Sequence, residues 1–185
     1  MVKEPTQYVV TEQHATRQKQ LIWLFTISFI LHNLEELIRM PIFLDQHMHT
    51  YPAFFQKFAG NWQPQSFSLS IWILNFLAVV LAFVLTINVE KRWAHLTITF
   101  LAGIMIINAL MHIAQSLFLG SIVPGLVTAV FLILPISSRL LIHELKTDGI
   151  SKKELGILIG VGLLSMPLLI WLVLRLSTWL IGWIG

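Results

Sequence analysis

Five long apolar runs constrain this chain more than any other feature. They cover residues 20–44, 68–89, 93–119, 122–142 and 155–183. Roughly 20 apolar residues wound as a helix cross the ~30 Å hydrocarbon core of a bilayer. Lipid offers no hydrogen-bond partners, so a spanning segment must satisfy its own backbone, as a helix does. Composition agrees: 56% of residues are hydrophobic and 11% charged, against about 25% charged in a soluble domain. Mean hydropathy is +0.78. The expected fold is all-α, a polytopic membrane helix bundle with five transmembrane helices. It forms one membrane domain over residues 20–185, multi-pass in the cell membrane, behind a polar tail at 1–19.

That tail carries Lys3, Arg17 and Lys19 without apolar periodicity. It is expected to be flexible or to lie on the membrane surface. The first run lacks a small-residue cleavage pattern and is read as a retained span, not a signal peptide. Pro41 should end or kink the first helix. The connection at 45–67 contains Phe54, Phe55, Phe58 and Trp62, aromatics suited to a membrane interface. Gly156 and Gly160 have the spacing of a helix-packing motif.

Basic residues set the orientation. With the N-terminus inside, the inner segments hold Lys3, Arg17, Lys19, Lys91, Arg92, Lys146, Lys152 and Lys153, and the outer loops hold Lys57. Eight against one places the N-terminus in the cytoplasm, and five spans place the C-terminus outside. The charge of +3 is therefore topological, and no basic, aromatic-interleaved patch suggests nucleic acid. A Gly-rich phosphate loop and a Gly-x-Ser-x-Gly elbow are both absent from the sequence, which disfavours nucleotides and serine hydrolysis. Without cysteine, a metal site must use His, carboxylate, amide or water.

Ionisable groups inside spans are costly and mark function by default. His32, Glu35, Glu36 and Arg39 lie within the first run, and spacings of three and four put them on one helix face. At ~1.5 Å per residue, His32 lies about 18 Å into the span, in its outer half. Asn108, His112 and Gln115 form a second stripe on span three, His112 about 28 Å from its start. Asn75 on span two, Arg175 on span five and Pro124-Gly125 at the head of span four fall in the same half. His47 and His49 lie in the outer loop. Depth alone thus gathers these groups into one expected polar pocket. His14, His95 and His143 fall at the cytoplasmic side, where a structural role is expected.

The segment His32-x-x-Glu35-Glu36, early in a small multi-span chain, resembles the bacterial membrane family named for its HXXEE motif. Asn108-x-x-x-His112 and Pro124-Gly125 look like further shared features of that family. The resemblance covers roughly the first four spans. It implies an integral membrane protein with a suspected site and no assigned reaction, and it supplies no substrate.

The residues themselves leave three readings. In the first, His32, Glu36 and His112 ligate zinc or non-haem iron. Glu35 or Glu36 then serves as general base, with Asn108, Gln115, Arg39, Asn75 and Arg175 in support and His47 or His49 as further ligand candidates. The protein would be a membrane hydrolase, hydratase or isomerase acting on a lipophilic small molecule. In the second, the paired carboxylates do metal-free acid–base work or relay protons in a transporter or sensor. In the third, the same groups form a structural polar network between helices.

Overall fold

The computed structural model describes residues 5–47, His49, Ala53 and 63–184, with side chains from Glu12 to Trp183. Five helices are long and apolar enough to cross a membrane: α1 Pro5–His47, α2 Pro64–Ile87, α3 Arg92–Leu119, α4 Leu126–Lys146 and α5 Lys152–Ile184. Among the described residues there is no strand. The architecture is the expected membrane helix bundle. The interfacial role expected of Phe54, Phe55, Phe58 and Trp62 lies outside the described residues.

Helix ends differ from the sequence reading in instructive ways. From Pro5 onward the polar tail is helical and continuous with the first span; residues 6–19 contain no Gly or Pro, and half of them are strong helix formers. Pro41 does not end α1, which continues to His47; the helix forgoes one backbone bond, to the Leu37 carbonyl. Helix α4 starts at Leu126 rather than 122, because Gly125 sits in the left-handed region at φ +82°. Helix α5 opens on a capping box. Ser151 Oγ accepts from the Glu154 backbone N–H at 3.2 Å, and Glu154 Oε2 accepts from the Ser151 backbone N–H at 2.8 Å. Arg92 fastens this turn by bonding the Gly149 carbonyl and Glu154.

Helix α4 is widened between Ala129 and Ile133 into a π turn, where Leu134 N–H bonds the carbonyl five residues back. Pro135 follows immediately. It has no N–H to give Phe131 and its ring crowds that carbonyl; the wider turn relieves both problems.

The helices pack as a closed ring in the order α1, α2, α5, α3, α4. Helix α3 buries Ala94, Ile98, Ala102, Met105 and Ala109, a stripe at spacings of four and three. Its small alanines let neighbouring backbones approach closely, which replaces hydrophobic drive inside lipid. His112 is the next residue on that stripe. Asn33 Nδ2 donates to Asn75 Oδ1 at 2.7 Å, tying α1 to α2. Ser70 donates to Ser177 at 2.7 Å, tying α2 to α5. Helix α5 is the least enclosed. Gly156 and Gly160 face open space, whereas Gly162 is the glycine of α5 that fits closely against Ile104.

Candidate metal centre

Three helices build the polar centre: α1 brings His32, Glu35 and Glu36, α3 brings Asn108 and His112, and the head of α4 brings Gly125 and Thr128. The two imidazoles meet edge to face, with ring centroids 5.0 Å apart. Glu36 Oε1 lies 3.1 Å from His112 Nε2 and 3.8 Å from His32 Nε2. One ligand atom from each of these three residues falls within 4.8 Å of the others. Asn108 Nδ2 stands beside both rings, 2.9 Å from His32 Nε2 and 3.3 Å from His112 Nε2.

Thr128 fixes the orientation of His32. Its hydroxyl lies 2.7 Å from Glu35 Oε2, and a carboxylate can only accept, so the hydroxyl donates there. Its oxygen is then an acceptor for His32 Nδ1, 3.0 Å away. The proton of neutral His32 therefore sits on Nδ1. Its Nε2 lone pair points at the Asn108 amide, His112 and Glu36.

Glu35 has a different task from Glu36. It accepts from the backbone N–H groups of Thr128 at 2.8 Å and Val127 at 3.4 Å. These belong to the first turn of α4, whose N–H groups have no intrahelical partner. Glu35 thus caps α4 from α1, where a negative charge also suits the helix dipole. Arg39 Nη1 donates at 3.2 Å to Glu35 Oε1, the oxygen that also accepts from Val127. Gly125 makes the convergence possible: a Cβ there would lie 2.8 Å from His32 Cε1, 2.9 Å from His112 Cε1 and 3.1 Å from Glu36 Cγ. Its positive φ is a second reason for glycine.

The donor set fits a divalent ion on local grounds. A tetrahedral zinc with ligands at ~2.0–2.1 Å keeps its ligand atoms about 3.3 Å apart, close to the 3.1 and 3.8 Å between Glu36 and the two imidazoles. On His112 it is Nε2 that meets Glu36; Nδ1, the other ring nitrogen, is buried without a hydrogen-bond partner among the described residues. The Glu36 side chain is 16% exposed and that of His32 1%, so the centre opens on the Glu36 side.

Other candidates lie elsewhere. Asn75 is engaged with Asn33. Arg175 lies over the Trp171 ring at 5.6 Å. Gln115 makes no hydrogen bond to the cluster. His47 stacks on Phe43 at 4.4 Å and pairs with its carbonyl oxygen at 3.1 Å, beyond the three-residue convergence, as is His49. Thr128 and the capping role of Glu35 were missed by sequence reasoning. The available signal was a hydroxyl three residues after Gly125, in the first turn of a span.

The same three helices are tied a second time near the N-terminal end of α1. The fully buried Glu144 carboxylate accepts from Gln18 Nε2 at 2.8 Å and lies 2.7 Å from His95 Nδ1. His95 thus has a buried carboxylate partner that the sequence did not reveal.

Residues 23–140 match the family described as "Protein of unknown function with HXXEE motif". The chain is also 28% identical over 150 residues to the uncharacterized protein YrkK of Bacillus subtilis (strain 168), covering 78% of this chain and 90% of that protein. No solved structure matches.

Proposed function

Because the chain belongs to the HXXEE-motif family, whose description assigns no activity, we propose from its own residues that it is a metal-dependent membrane enzyme. His32, Glu36 and His112 hold the ion, zinc or iron(II), in the outer half of the bundle. The observation that carries this reading is the convergence of three nitrogen and oxygen ligand atoms within 4.8 Å. The Thr128 hydroxyl already presents the His32 lone pair to that point. Two imidazoles and one carboxylate leave coordination open for substrate. A bound ion would supply Lewis acidity.

The chain's own groups divide the remaining work. Thr128 and Glu35 hold the His32 ring, as outer partners of metal-binding histidines do. Asn108 Nδ2 is placed to donate to a substrate oxygen beside the two rings. The free oxygen of Glu36 is the proton acceptor nearest the open side. Surrounding apolar residues admit a lipophilic substrate from the bilayer of the cell membrane. Hydrolysis, hydration and isomerisation are the reaction classes this set of groups serves.

Metal analysis of protein purified without chelator tests the reading. About one zinc or iron per chain is expected, falling to background in His32→Ala and in His112→Ala with helical content retained. Protein that takes up neither metal on loading, and whose variants lose only thermal stability, would make the cluster a structural network.

A further inference from the structure

We propose a second, separate ligand site: an acidic phospholipid binds at the N-terminal end of α1, its phosphate held between Arg17 and Arg139. A cleft of about 750 Å³ lies there between α1 and α4. Along α1 it is lined by Glu12, Arg17, Gln20, Leu21 and Leu24, and α4 contributes Arg139. Both arginines are exposed, and neither is ion-paired among the described residues.

Depth selects the ligand. Arg17 lies one turn before the apolar part of α1. Arg139 lies seven residues before the end of α4 at Lys146, about 10 Å along the helix. Its charge must reach back towards the headgroup layer, the usual course for arginine near a span end. Two guanidinium groups at headgroup level suit a phosphodiester, which each can bind through paired N–H donors. Basic pockets between spans are recognised lipid headgroup sites.

The cleft also continues as an apolar track. Leu24, Ile27 and Leu31 follow along one face of α1 at spacings of three and four, exposed by 50%, 51% and 44%. A soluble phosphate would leave that track unused, whereas an acyl chain covers it. Glu12 at the mouth reduces the local charge of the three ionisable groups to +1, which suits a monoanionic headgroup. Its carboxylate can accept from headgroup hydroxyls, as in phosphatidylglycerol. The proposal is independent of the metal centre, because it involves none of its residues.

Native mass spectrometry of the full chain in detergent supplies the test, with phosphatidylglycerol and phosphatidylcholine of identical acyl chains. Near a membrane surface each basic residue contributes about fivefold in affinity. At least tenfold preference for phosphatidylglycerol is expected, and its loss in the Arg17→Gln/Arg139→Gln double variant. Leu24→Trp, which keeps both charges and obstructs the apolar floor, should also weaken retention. Lys152→Gln, outside the cleft, should leave it unchanged. Equal retention of both lipids, or a preference that survives the double variant, overturns the proposal. Displacement of the lipid by equimolar inorganic phosphate overturns it as well, by identifying a soluble ligand.

Discussion

Within five residues the motif contains two different tasks. His32 and Glu36 turn towards His112, while Glu35 caps another helix through Thr128. The spacing made His32, Glu35 and Glu36 neighbours on one helix face, but it could not separate the two carboxylates. That separation depends on where the first turn of α4 begins, which Gly125 decides. Thr128→Val tests the division of labour, since it keeps the side-chain shape and removes the hydroxyl between Glu35 and His32. Zinc affinity, measured by competition with a chromophoric chelator, should fall roughly 10–100-fold, the usual cost of losing an outer partner of a ligating histidine. Thr128→Ser should restore most of it. Unchanged affinity in Thr128→Val would remove Thr128 from the site.

Among the elements, α1 is the hinge of the arrangement, because its two polar faces serve different neighbours. One face carries the centre towards α3 and α4. The other carries Asn33 to Asn75 on α2. Interhelical side-chain hydrogen bonds in membranes contribute about 0.6 kcal/mol on average and up to about 1.7. Asn75→Leu should therefore destabilise the bundle by about 1 kcal/mol in a detergent unfolding titration, leaving Asn33 buried without its acceptor. Asn33→Leu should cost a similar amount, and the double variant less than the sum; strictly additive losses would show that the pair is not coupled. Asn75 was gathered with the candidate site from its depth alone. Depth fixes how far along a helix a residue lies, whereas its azimuth relative to neighbours depends on the packing order α1, α2, α5, α3, α4.

At the scale of the whole molecule, polar contacts fasten α1, α3 and α4 at two levels, one around Glu36, His112 and Thr128 and one around Gln18, His95 and Glu144, with Ile22, Ile98, Ala102, Ala129 and Ile133 buried among the same helices. Orientation can be tested directly, because the chain has no cysteine. An impermeant maleimide applied to intact cells should label Gln63→Cys, and should label Lys91→Cys only after permeabilisation. The reverse pattern would invert the topology argued from the basic residues. The five spans, their membrane setting and the choice of His32, Glu36, Asn108 and His112 were legible in the sequence. Hydropathy and helical spacing are local quantities, and a charge in lipid is conspicuous wherever the helix is placed. Tertiary structure alone decided that Glu36 faces the imidazoles while Glu35 caps α4, that Asn75 serves Asn33, and that Glu144 meets His95. Each depends on the rotation of one helix against another, which is set by side-chain packing between segments far apart in the chain. The HXXEE stretch thus announces a polar centre, and the fold assigns its members their separate partners.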